Sequence, residues 1–175
     1  MSDISWFTCA RFWRCALQVN PVGYNEAYRG GDHGFDEDGY NQALLRKCLE
    51  MEISVIGLAD HGCVDSVDTL RNVLRPQGIT VFPGFEIASN DKTHYVCLFA
   101  EDTTVQQLDR YLGNLKLHDP ADGIRPSRLS SEELIDEVDR LGGFVYAAHC
   151  TQESGLLRNR LNHVWKHPKL RAAQI

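Results

Sequence analysis

Three apolar runs in this chain each end on a side chain that can bind a metal ion or carry a proton. Val55-Ile56-Gly57-Leu58-Ala59 leads into Asp60-His61-Gly62. Thr80-Val81-Phe82-Pro83-Gly84-Phe85 leads into Glu86, and Phe144-Val145-Tyr146-Ala147-Ala148 leads into His149. A short run that is apolar on both faces is the pattern of a buried parallel strand. In α/β folds, functional groups gather at the carboxyl ends of such strands. One run with a polar tip is ordinary strand-to-loop polarity. Three runs delivering Asp, His, Glu and His predict a metal site assembled from dispersed strand ends.

Other elements must hold those tips in place. Cys15-Ala16-Leu17-Gln18-Val19-Asn20-Pro21 predicts a first strand, with Gln18 and Asn20 on one face by alternation and Pro21 as its end. Residues 22–38 are Gly-rich and polar and include His33, which predicts a long loop of the kind that often carries function. Tyr40, Ala43, Leu44, Cys48 and Met51 fall at helical spacing over 39–51, with Asp36 or Asp38 as cap. Val64, Val67, Leu70, Val73 and Leu74 predict a second helix over 64–75, closed by Pro76 and Gly78. Asn90-Asp91-Lys92 reads as a turn before a strand over His94–Phe99, and 103–114 as a helix. Residues 116–130 read as a loop. Ser130 or Ser131 with Glu133 resembles a capping box that opens a helix running through Leu141. Gly142-Gly143 then stops the helix ahead of the strand to His149. Helical character near 156–165 and an apolar run from Leu170 to Ile175 complete the chain. Strands alternating with helices predict a mainly parallel, right-handed α/β arrangement.

At 175 residues the length predicts one domain over 1–175, with the aromatic and basic residues 1–14 as a segment capping it. A net charge of −6 argues against broad electrostatic binding of nucleic acid, though not against a local basic groove. No apolar run reaches membrane-spanning length, and the N-terminus lacks a secretory pattern. None of the six cysteines forms a C-x-x-C pair, so a zinc ribbon is not expected and a reducing cytoplasm is the simplest setting. Cys63 and Cys150 follow candidate ligands closely; each is either a loop-lining thiol or a further ligand.

The motifs resemble those of a known family. Leu58-Ala59-Asp60-His61-Gly62 is similar to the T-D-H-N signature of the polymerase and histidinol phosphatase (PHP) family. Pro83-Gly84-Phe85-Glu86-Ile87 is similar to its P-G-x-E-I motif. Gly142-Gly143-Phe144-Val145-Tyr146-Ala147-Ala148-His149 is similar to its G-G-x-x-x-x-A-H-P motif, with Cys150 in place of proline. The N-terminal aromatic lead and Trp165-Lys166-His167-Pro168 look most like the PHP module at the head of TrlF-type AAA-like ATPases. The resemblance implies a distorted, TIM-like (β/α)7 barrel, with two or three divalent ions (Mn, Zn, Fe or Mg) at its open end and phosphoester hydrolysis as its chemistry. It implies Glu86 as a bridging carboxylate and His149 as a ligand of the same pair. His61 would hold a neighbouring ion, with Asp60 as ligand or orienter. His94 matches a histidine of the family's H-x-x-G-L-F-like strand. Outside the resemblance, a lone histidine there reads as a structural hydrogen-bonding residue.

Two departures bear on activity. The family's H-x-H on strand one is replaced by Gln18 and Asn20, whose amide oxygens are weaker metal partners than imidazole. His33 is a candidate substitute. The family's late D-x-H motif has no counterpart before Ile175, so a partial barrel is expected. An incomplete barrel exposes sheet edge, which favours self-association or a partner chain that completes it. The sequence therefore supports a metal-dependent phosphoesterase acting on a phosphoester small molecule or nucleotide, with no membrane partner. The alternative is a catalytically degenerate PHP-like module binding a ligand or partner within a larger ATPase assembly. A generic nucleotide-binding domain is disfavoured, because no Gly-rich phosphate loop follows the first strand.

Overall fold

The computed structural model describes residues 12–23, 34–117 and 126–175. Most of the N-terminal segment, the Gly-rich loop with His33, and residues 118–125 lie outside the described residues. Strand β1 (Arg14–Val19) is followed by helix α1 (Glu37–Glu50), β2 (Ile53–Leu58), β3 (Asp60–His61) and α2 (Val67–Leu74). Then come β4 (Thr80–Phe82), β5 (Gly84–Ala88), β6 (His94–Leu98) and α3 (Val105–Asn114). The order ends with α4 (Ser131–Arg140), β7 (Phe144–Ala147), a single turn α5 (Asn162–Trp165) and β8 (Ala172–Ala173).

The helix ends follow from local chemistry. The Asp36 carboxylate accepts the Gly39 N–H (2.8 Å) and caps α1. Pro76 turns the end of α2 into a 3-10 turn, and Gly78 closes it at φ 77°, a left-handed conformation that glycine adopts without cost. Thr104 with Gln107, and Ser130 with Glu133, form reciprocal capping boxes that start α3 and α4. Replacing Ser130 by alanine is expected to destabilise the fold by about 1 kcal/mol, read as a lower urea midpoint at unchanged m-value.

The strands form a three-stranded parallel sheet, β1-β2-β4, and a five-stranded mixed sheet, β3-β5-β6-β7-β8. The two are joined through the chain. Val55, Ile56 and Gly57 pair with Thr80, Val81 and Phe82, and Asp60 and His61 pair with Phe85 and Glu86, all in one register. Ala59 and Pro83 interrupt the ladder without shifting it, and the Ala59 N–H bonds back to the Val19 carbonyl (3.0 Å). Residues 53–61 and 80–88 thus pass from one sheet into the other as a continuous parallel pair.

The expectation of mainly parallel pairing holds for four of the six strand pairs, and the two exceptions lie in the second sheet. β5, β6 and β7 pair antiparallel, because residues 89–93 make a tight hairpin in place of a helical crossover. Within it the Ser89 N–H bonds the Thr93 carbonyl (2.9 Å). Among the described residues no backbone pairing joins β1 to β7 or β8, so barrel closure is not observed. The two edges nonetheless approach: the Tyr146 hydroxyl on β7 donates to the Leu17 carbonyl on β1 (2.9 Å). The larger hydrophobic core draws on both sheets, with Ile56, Leu70, Leu74, Phe85, Ile87, Leu108, Leu134 and Ile135 fully buried, and a smaller cluster gathers Ala59, Val96, Leu98, Tyr146 and Ala148.

Candidate metal centre

Glu86 is the hub. It lies mid-strand on β5, is 2% exposed, and presents its two carboxylate oxygens to different neighbours. Oε1 faces three imidazoles: His94 Nδ1 at 2.9 Å, His149 Nε2 at 3.3 Å and His61 Nε2 at 3.7 Å. Oε2 accepts a 2.6 Å hydrogen bond from the Gln18 amide. Burial by itself would push the carboxyl pKa up. The hydrogen bonds from His149 and His94 and the proximity of His61 outweigh it and hold the group well below the usual carboxylate range.

Each partner arrives by a separate route. His61 is the residue opposite Glu86 in the β3–β5 ladder, and paired residues share a face. Asp60, one residue earlier, pairs with Phe85, so alternation turns it to the other side. There it lines a recess with Cys63, Val64 and Gly84, and its Oδ1 accepts the His61 N–H (2.7 Å). His94 opens β6 across the hairpin from Ala88. Its N–H bonds the Ser154 carbonyl and its carbonyl accepts the Ala148 N–H, which ties it to the turn bearing His149.

His149 has φ 26°, a strained region for a non-glycine residue. The strain is held by its N–H bonding Gln174 Oε1 (3.0 Å), and by the close turn in which Gly155 packs on the backbone of His149 and Cys150. Cys150 sits where the resembling motif has proline. Its N–H, which proline would lack, bonds the Gln174 carbonyl (2.8 Å). The Cys150 thiol is buried and its pKa raised by that burial, so it is a packing thiol rather than a reactive one. Burial also raises the Cys63 thiol.

Gln18 comes from β1. The β1–β2 register slips between Ala16 and Val19, a bulge of the kind that re-aims a side chain. The Tyr146 bond to Leu17 pins the backbone beside it, and the Tyr40 hydroxyl pins the Asn20 carbonyl (2.9 Å). Asn20 Oδ1 and His149 Nδ1 are buried with no hydrogen-bond partner among the described residues. The structure therefore gathers His61, Glu86, His94, His149 and Gln18 at one point. Asp60 is joined to that point through the His61 backbone N–H. The Gln18–Glu86 bond and the tyrosine pins were not anticipated from the sequence. They span 68, 129 and 20 positions and leave no local pattern.

His61, Glu86 and His94 offer ligand atoms all within 4.8 Å of one another. Two ligands on one ion, at bonds of about 2.0–2.1 Å and a tetrahedral angle, lie about 3.3 Å apart. The 2.9–3.7 Å separations around Glu86 Oε1 bracket that value. Donor types and spacing thus fit a divalent cation.

No family model matches the chain, and no curated protein matches it in sequence. Solved structures do match its fold. An inferred metal-dependent phosphoesterase from Bifidobacterium adolescentis aligns over 95% of this chain and 77% of its own, at 13% identity and a TM-score of 0.58. The lesion-specific endonuclease Q of Pyrococcus furiosus aligns over 91% of this chain and 40% of its own, at 13% identity and a TM-score of 0.62. An amidohydrolase from Chromobacterium violaceum, solved with sulfate and no metal, aligns over 91% and 76%, at 12% identity and a TM-score of 0.56. At these identities the likeness is one of fold. Among the described residues no helix is long and apolar enough to cross a membrane.

Proposed function

We propose that this chain is a PHP-type metal-dependent phosphoesterase whose centre is built on Glu86. The observation that carries this reading is one buried carboxylate oxygen facing three imidazoles at ligand-to-ligand distances. Glu86, His61 and His94 would hold the ion with His149 beside them, and Asp60 acts as a positioning residue through the His61 N–H. When bound, a divalent cation supplies Lewis acidity toward a phosphoryl oxygen and lowers the pKa of water.

The chain's own residues do the rest. Glu86 stays ionised, because its neighbours hold its pKa low. Burial of the cluster excludes bulk water and strengthens every charge interaction in it. The strained turn at His149 fixes that imidazole before any ligand arrives, which lowers the ordering cost of binding. A chain of net charge −6 that binds an anionic ester needs the cation to supply local positive charge. The structural neighbours named for phosphoester and DNA-lesion cleavage agree with this class of substrate.

Titration of the purified protein with Mn²⁺ or Zn²⁺ tests the proposal, followed by melting temperature and hydrolysis of bis(p-nitrophenyl) phosphate. At metal a hundredfold above its Kd, the melting temperature should rise by about 5–10 °C. Hydrolysis should appear only with metal. The second reading is a catalytically degenerate ligand- or partner-binding module, to which the Gln18 amide on Glu86, in place of a metal-binding imidazole, would belong. It predicts the thermal shift without turnover.

A further inference from the structure

The two oxygens of Glu86 have different partners, and that difference sets how many ions the centre can take. Oε1 faces the imidazoles, and Oε2 is held by Gln18 Nε2 at 2.6 Å. An ionised carboxylate only accepts hydrogen bonds, so the Gln18 atom against it is the amide nitrogen, which has protons and no lone pair for a metal. At 2.6 Å the two side chains are closer than the about 3.3 Å that separates two ligands of one ion, so this contact is a hydrogen bond with no room for a cation between its atoms. The contact is short and partly buried, and β1 is bulged beside it and pinned by Tyr146. We infer that the Gln18 amide stands in for a second cation at Glu86 Oε2, so that Glu86 is a one-ion ligand and the chain binds a single divalent ion. This rests on the metal-centre reading above and deepens it. The reacting ester would then meet one Lewis-acidic ion, a requirement better matched to activated esters than to unactivated phosphodiesters.

The test is a count of bound Mn²⁺ at pH 8, by elemental analysis after dialysis and by electron paramagnetic resonance, on the wild type and Gln18→Glu. The substitution keeps the side-chain shape and replaces the amide N–H donor with a second carboxylate oxygen. Circular dichroism and the melting curve verify that the variant is folded. The expected wild-type result is one ion per chain with an uncoupled six-line spectrum. The expected result for Gln18→Glu is two ions per chain with an exchange-broadened spectrum. Two ions in the wild type overturn the inference and leave the metal centre standing, as does one ion in a folded Gln18→Glu. No ion in the wild type overturns the metal centre itself. The wild-type count decides the stoichiometry even if the variant does not fold.

Discussion

Replacing Glu86 by glutamine is expected to cost at least about a hundredfold in divalent-metal affinity, since even residues that only orient a ligand cost 10–100-fold. Glu86 is in reach of every other member of the cluster, so its charge has no substitute among the described residues. Any metal-dependent hydrolysis should vanish with it. Isothermal titration with Mn²⁺ or Zn²⁺ measures the loss directly. The metal-free variant should also be less stable, by about 1.5–3 kcal/mol, because hydrogen bonds to a charged acceptor become neutral ones. That difference has a defined pH window. The folded pKa of Glu86 lies below its unfolded value of 4.5, so the unfolded chain binds more protons as the pH falls. The stability that Glu86 contributes is therefore fully present above about pH 4.5 and is lost on acidification below it. Urea unfolding of both proteins between pH 6 and pH 3 should show their midpoints converging at the acid end.

Gly84→Ala is expected to be the most damaging single-methyl change in the site's framework. A Cβ at this position would run into the Cys97 carbonyl on the neighbouring strand, a backbone atom that no rotamer change can move. Overpacking of this kind costs about 1–3 kcal/mol, and the upper end applies where the obstacle is backbone. The strain falls on the β5–β6 pair, which carries Glu86 and His94 two and ten positions further on. Metal affinity should therefore drop together with stability. An alanine variant with wild-type stability and affinity would show that the strands are not packed as described. The glycine of the Pro83-Gly84-Phe85-Glu86 stretch is thus required by close strand approach, whereas the glutamate is required by chemistry.

Much of this arrangement was legible in the sequence, and the misses have physical causes. The apolar runs ending at His61, Glu86 and His149 are the strands and strand ends that deliver those side chains, since uninterrupted burial leaves an unmistakable composition. The caps at Asp36 and Ser130 were readable because capping is local. The antiparallel hairpin was half-visible. Asn90-Asp91-Lys92 signals a turn, but the direction of the next strand depends on there being no room for a crossover helix in five residues. Asp60 was read as ligand or orienter beside His61; the β3–β5 register turns the two side chains to opposite faces, and the Asp60 carboxylate accepts the His61 N–H. Gln18 was read as a weak metal ligand; its amide nitrogen instead meets Glu86, a partner 68 positions away that only the fold reveals. The bulge that aims it is one of two register shifts in β1, and neither leaves a mark in the sequence.

X-ray absorption at the Zn or Mn edge, on metal-loaded wild type and on Glu86→Gln, reads the central claim most directly. The predicted spectrum has a first shell of nitrogen and oxygen at about 2.0–2.2 Å, with the outer-shell scattering of at least two imidazoles, and the variant loses it. A wild-type spectrum of water oxygens alone, or one unchanged by Glu86→Gln, would contradict the account.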